Sequence, residues 1–129
     1  MSGGPAINSP TEPRRILIVD DEPTLVQVLG RHLGAAGWEV RSAGGAEEAL
    51  AILAGTEFRA ILLDIEMPGI TGFEALPRIA ALSEAPVIMM SGHADSELRQ
   101  DAVLLGAATL LAKPLDLADL NAALAKVLT

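Results

Sequence analysis

Two apolar runs in this chain end in carboxylates. ILIVDDEP, Ile16 to Pro23, passes from side chains that favour burial to the adjacent pair Asp20 and Asp21, and ILLDIEMPG, Ile61 to Gly69, does the same at Asp64. A third run closes on Ser91 and Gly92, and a fourth on Lys113 and Pro114. Carboxylates brought together in one crevice repel each other, which raises their pKa values and costs stability unless a cation compensates. An all-oxygen donor set with room for water suits Mg²⁺, a hard cation that binds one or two carboxylates together with phosphate, and Lys113 would add a fixed positive charge. Taken singly, each residue has a plainer role. An Asp at a strand-to-helix junction can cap the helix, Asp64 can open the turn carrying Pro68, Gly69 and Gly72, Ser91 can cap a loop, and Lys113 can lie in solvent. What favours chemistry is that all of them follow short apolar runs.

Those runs are β-rich and fall at Arg15–Val19, Glu39–Ser42, Ala60–Leu63, Val87–Met90 and Thr109–Leu111, with helical periodicity in every gap. The first helix has Pro23 in its first turn, an inward face of Leu25, Val28, Leu29 and Leu33, and a stop at Gly37. The second spans about Ala46 to Leu53, with Ala46, Ala49, Leu50 and Leu53 inward. The third starts after Thr71 with Phe73, Leu76, Ile79 and Ala80 inward, and Pro77 should bend it or delay its start. Asp95 or Ser96 caps the fourth, which buries Leu98, Ala102 and Leu105 and ends at Gly106. Asp116 caps the fifth, with Leu117, Leu120, Leu124 and Val127 inward. Such alternation predicts an α/β fold, a doubly wound five-stranded parallel sheet with helices on both faces, whose ligands bind beyond the carboxyl ends of the strands. The second strand ends in Ser42, Ala43 and Gly44, which fits an edge away from the site.

Composition narrows the function. The 129 residues fit one domain, and with 50% hydrophobic but 2% aromatic content the core must be built from aliphatic side chains. There is no cysteine, so disulfides, thiolate nucleophiles and thiolate metal sites are excluded. Two histidines are too few for a histidine-built zinc site, and a net charge of −8 argues against a broad nucleic-acid surface. The longest apolar run, Ala102 to Ala112, is too short to span a bilayer, and no signal peptide opens the chain, so a soluble cytoplasmic protein is expected. Residues 1–13 are Gly, Pro and Ser rich and should form a disordered tail, with the folded domain at 14–129.

The segments LIVDDEP, LLDIEMPGITG, IMMSG and LLAKPL resemble, in order and spacing, the receiver domains of two-component response regulators, over about Arg15 to Leu128. The resemblance implies a flavodoxin-like (βα)5 receiver fold with strand order 2-1-3-4-5. It implies that Asp64 is the phosphoacceptor, that Asp20 and Asp21 with Asp64 and the backbone carbonyl of Glu66 hold Mg²⁺, or Mn²⁺ in its place, and that Ser91 and Lys113 contact the phosphoryl group. The Lys113–Pro114 peptide is expected to be cis. Glu66 and His93 stand where receivers differ in phosphoryl lifetime, although either can be a solvated loop residue, and His32 reads as structural. The donor would be a sensor histidine kinase, a histidine phosphotransfer protein or a small acyl phosphate. The product, an aspartyl phosphate, would be an acceptor that Ser91 and neighbouring backbone donors contact in only one of two states, shifting the loop at Gly92–His93 and the fourth helix to control partner binding. On this basis the chain is a signalling domain that catalyses only its own phosphorylation and slow dephosphorylation, without direct contact to nucleic acid or membrane.

This chain departs from the family at Leu110, where many receivers carry Tyr or Phe that swings inward, and at Leu115, which often is aromatic. A leucine has no polar tip to offer solvent, so the usual aromatic exchange is not open to Leu110. A Mg²⁺-dependent phosphohydrolase of the haloacid dehalogenase type also combines an Asp nucleophile, a hydroxyl residue, a lysine and an acidic metal pair, but its first strand ends in Asp-x-Asp, whereas Asp20 and Asp21 are adjacent. A receiver-like interaction module that is never phosphorylated is a further alternative. A stand-alone receiver and one excised from a larger regulator fit the chain equally.

Overall fold

The computed structural model describes residues 14–128; the expected tail at residues 1–13 lies outside them. Strands β1 (Arg15–Val19), β2 (Glu39–Ala43), β3 (Ala60–Asp64), β4 (Val87–Ser91) and β5 (Thr109–Ala112) alternate with helices α1 (Pro23–Ala35), α2 (Ala46–Leu53), α3 (Gly72–Leu82), α4 (Ser96–Leu104) and α5 (Leu117–Val127). All pairings are parallel and the order is β2-β1-β3-β4-β5. Strands β2 to β5 each extend one residue past the end expected from hydrophobicity. Asp64 and Ser91 therefore close β3 and β4 as ladder members, aligned with Met90 and Ala112. Pairing holds the backbone of a polar residue at a strand end as well as that of an apolar one.

Because both faces of a parallel sheet are covered, its central strands need unbroken apolar runs, and Ile16 to Val19 and Ala60 to Leu63 are fully buried. The pleat divides them. Leu17, Val19, Ile61, Leu63 and Met89 pack under α2, α3 and α4, while Ile16, Ile18, Leu62, Ile88 and Met90 pack under α1 and α5 through Leu29, Leu33, Leu120 and Leu124. The crossover after β1 runs one way, to β2, and the crossover after β3 runs the other way, to β4, so a crevice opens at the carboxyl ends of β1 and β3.

Three side chains expected inward are exposed: Val28, Ala80 and Leu105. Val28 and Ala80 lie about 100° round their helices from the buried Leu29 and Ile79, outside the arc that faces the sheet, and Ala75 takes the inward place on α3. Leu105 lies past the last turn of α4, where Gly106 at φ 113° turns the chain toward β5, so that only Ala102 of that helix is fully buried. Asp95, not Ser96, caps α4, accepting from the Leu98 N–H at 2.8 Å.

Helix α3 runs without interruption through Pro77, so its start is not delayed. A capping box fixes that start: the Thr71 hydroxyl accepts from the Glu74 N–H at 3.2 Å, and the Glu74 carboxylate accepts from the Thr71 N–H at 3.0 Å. Pro77 is solvent-exposed and deprives the Phe73 carbonyl of a helical donor. Pro77→Ala should therefore stabilise the protein by about 1–3 kcal/mol, read as a raised denaturant midpoint at unchanged slope. A lowered midpoint would show that the proline ring is favourable where it stands.

Candidate functional site: an acidic crevice at the strand ends

The loops after β1, β3 and β5 are tied to the sheet by their backbones. Asp20 N–H donates to the Ala43 carbonyl at 3.0 Å, Ile65 N–H to Met90 at 2.9 Å and Lys113 N–H to Ser91 at 2.8 Å. Each polar side chain thus leaves a fixed point. Asp20 is 2% exposed, with Oδ1 accepting from the Glu22 N–H at 2.9 Å and Oδ2 from Lys113 Nζ at 2.8 Å. Asp64 is 1% exposed; its Oδ1 accepts from the Glu66 N–H at 3.2 Å and lies 3.2 Å from Lys113 Nζ. Asp21 is exposed, yet the carboxylates of Asp20, Asp21 and Asp64 can each offer an oxygen within 4.8 Å of the others. The peptide between Lys113 and Pro114 is cis.

The backbone at Asp64 is held from behind as well. A Cβ added to Gly72, the first residue of α3, would stand 2.6 Å from the Asp64 carbonyl oxygen and 2.8 Å from Ile65 Cα. Only glycine lets α3 approach the end of β3 this closely, with the Gly72 N–H donating to the Ile65 carbonyl at 3.0 Å.

Charge in the crevice is unbalanced. Burial, and then the Asp20 carboxylate, push the Asp64 pKa up to about 6, against the opposing pull of Lys113. Burial works against the Lys113 ammonium too, but hydrogen bonding to Asp20 and the charges of Asp64 and Asp20 outweigh it and hold its pKa above the usual lysine value. One ammonium does not neutralise three carboxylates, so this donor set fits a divalent cation with oxygen preference.

The raised Asp64 pKa carries a pH dependence. The folded state takes up a proton that the unfolded chain has already released, so the Asp64 contribution falls as pH rises from about 3.8 to about 6 and stays unfavourable above that. Without Mg²⁺, Asp64→Asn should be more stable than the unsubstituted protein at pH 7, with the difference shrinking toward pH 4. Parallel thermal unfolding of the two proteins across that range checks this, and a difference independent of pH would contradict the raised pKa.

Ser91 is fully buried beside the cluster, but its hydroxyl donates to the Glu66 carboxylate, not to Asp64. The same carboxylate accepts from the Gly92 N–H through Oε1 at 3.0 Å, and the His93 N–H donates to Ser91 Oγ at 2.9 Å. Leu110 is 2% exposed, packed in the core beside Met89, and its carbonyl accepts from Arg99 Nε on α4 at 3.3 Å. Of the residues singled out from sequence, then, Asp20, Asp21, Asp64 and Lys113 come together, Ser91 adjoins them facing Glu66, His93 is tied through its N–H to Ser91, and Leu110 is packed in the core. Sequence reasoning missed the grip of the Glu66 side chain, the close approach at Gly72 and the Arg99 tie. A glycine straight after the Thr71 cap is the only one of these with a local signal.

The response regulator receiver domain family model matches residues 16–125. The chain belongs to this family. The chain is 36% identical over 107 residues to the transcriptional regulatory protein AruR of Pseudomonas aeruginosa, covering 79% of this chain and 44% of that protein. Among solved structures, the chemotaxis protein CheY4 of Vibrio cholerae matches with a TM-score of 0.83 at 30% identity, covering 90% of this receiver and 99% of that chain. A chain of the CheX–CheY–BeF3–Mg²⁺ complex from Borrelia burgdorferi matches with a TM-score of 0.84 at 30% identity, covering 91% of this receiver and 90% of that chain. The receiver spans less than half the length of AruR. Among the described residues no helix is long and apolar enough to cross a membrane.

Proposed function

We propose that this receiver is a phosphorylation-activated switch in which Asp64 is the phosphoacceptor. The observation that carries the proposal is the Asp64 carboxylate, buried at the end of β3 between Lys113 Nζ at 3.2 Å and two further carboxylates that can share a cation with it. An Asp64 oxygen attacks the phosphorus of a phosphohistidine or small acyl phosphate, the bond from phosphorus to the leaving imidazole or acyl oxygen breaks, and Asp64 becomes an acyl phosphate that water later hydrolyses. In such transfers positioning and neutralisation of the phosphoryl oxygens matter more than covalent help from the protein. Lys113 holds its positive charge beside the acceptor oxygen, and Gly72 lets α3 brace the Asp64 backbone. Asp20, Asp21, Asp64 and the Glu66 carbonyl would hold Mg²⁺, with Mn²⁺ as a substitute, and the ion would neutralise the phosphoryl oxygens. The solved Borrelia relative, a complex with BeF3 and Mg²⁺, supports this assignment.

The receiver acts as a signalling domain within residues 14–129 and not as a turnover enzyme of the haloacid dehalogenase type. Its proposed place is the cytoplasm, and its proposed partners are a sensor histidine kinase or histidine phosphotransfer protein and a downstream protein. Output would pass through the Gly92–Ala94 loop and the start of α4 around Asp95–Leu98, while Leu110, already packed in the core, stays in place. The test is intact-mass measurement after incubation with acetyl phosphate and Mg²⁺. The protein should gain the mass of one phosphoryl group, and Asp64→Asn should gain none. Equal gain in both would remove Asp64 from the role.

A further inference from the structure

Resting on that assignment of Asp64, we propose that the Glu66 side chain is an internal latch: its carboxylate occupies the donors on the β4–α4 loop that a phosphoryl group on Asp64 would need. Two contacts define it. Ser91 Oγ–H donates to one Glu66 oxygen and Gly92 N–H donates to the other, so one anion bridges the loops after β3 and β4. These donors stand at the carboxyl end of β4, beside Asp64 on the neighbouring strand. The Ser91 hydroxyl has no exposure to solvent, so its single proton must go to a partner inside the protein, and that partner is Glu66.

A hydroxyl proton and a backbone N–H can each serve one strong acceptor at a time. When a phosphoryl group appears on Asp64, it meets these donors already committed to a carboxylate, and both anions cannot share them. Glu66 as a residue is largely exposed, so its side chain can leave for water when displaced. The latch therefore sets the unphosphorylated position of the Ser91–His93 segment, and its release is the first movement of the switch. It also lowers the protein's apparent affinity for a ligand of the active state, since a protein held mostly in the other state binds in proportion to the competent fraction.

The probe is BeF3⁻ with Mg²⁺, a stable mimic of a phosphoryl group on Asp64, titrated against the full chain and read by Gly92 and His93 amide signals in NMR. Glu66→Ala removes both contacts. Glu66→Gln keeps an acceptor for one donor without the charge. Glu66→Asp keeps the charge but is one methylene short of bridging both donors. Because hydrogen bonds to a charged group are stronger than neutral ones, Glu66→Ala should bind the probe roughly tenfold more tightly, and Glu66→Gln by a smaller factor. Glu66→Asp should also bind more tightly. In the absence of probe, Glu66→Ala should exchange its Gly92 amide proton faster than the unsubstituted protein does. Equal probe affinity in Glu66→Ala and the unsubstituted protein overturns the latch and leaves the phosphoacceptor assignment standing. A gain confined to Glu66→Ala and Glu66→Gln, with Glu66→Asp unchanged, also overturns it, because simple repulsion between anions would then suffice. Failure of every protein to bind the probe overturns the assignment of Asp64 and the latch with it.

Discussion

Lys113→Met should unfold far more easily than the unsubstituted protein when Mg²⁺ is absent. The Lys113 ammonium bonds the Asp20 carboxylate at 2.8 Å and lies 3.2 Å from Asp64, and those two carboxylates have side chains exposed by 0% and 2%. Removing one partner of a buried ion pair leaves uncompensated charge, a loss of about 3–5 kcal/mol. Methionine keeps most of the lysine's length and apolar stem, so the loss reports charge and not a cavity. Protonation offers partial relief: Asp64 already titrates at about 6, and without Lys113 its pKa should climb further. The deficit should therefore be larger at pH 8 than at pH 5, and added Mg²⁺ should recover part of it. Phosphoryl uptake should slow by roughly 10²–10³-fold, the usual effect of deleting one electrostatic donor at a reacting centre. Denaturant unfolding at both pH values, with and without Mg²⁺, tests the stability claim. Unfolding equal to that of the unsubstituted protein under all four conditions would show that the two contacts contribute nothing.

Asp21→Ala should separate metal binding from folding. Asp21 is exposed and makes no hydrogen bond within the cluster described above, whereas Asp20 is buried and bonded to Lys113. Its loss should weaken Mg²⁺ binding by at least 10–100-fold, since even partners outside the metal's direct ligands have effects of about that size. The Mg²⁺-free protein should keep its fold and gain a little stability as repulsion among the carboxylates falls. Asp20→Asn should lose Mg²⁺ affinity as well, but with a stability cost, because it also weakens the Lys113 pair. Titration calorimetry gives the affinities, and the rise in melting temperature with Mg²⁺ gives an independent measure of the same binding. Unchanged affinity in Asp21→Ala would remove it from the ligand set.

Much of this molecule is determined by the sequence alone, because its strongest signals are local. Uninterrupted runs such as Ile16–Val19 require burial on both faces, periodic apolar positions require helices between them, and Asp95, Asp116 and Thr71 mark helix starts by hydrogen bonds that span no more than three residues. Once the alternation is recognised, the parallel sheet and the place of Asp20, Asp64, Ser91 and Lys113 at its carboxyl edge follow from the handedness of crossovers. The limits of each inward face were less legible: Val28, Ala80 and Leu105 are apolar, but only the packing of helix on sheet decides how wide an arc is covered. Tertiary structure alone decided the partners across the crevice. Lys113 reaches Asp20 across 93 positions of sequence, Ser91 turns to Glu66 across 25, and Gly72 admits the Asp64 backbone where any side chain would collide. Such contacts depend on which strands become neighbours and how closely a helix end approaches them, and no local pattern of residue types encodes those distances.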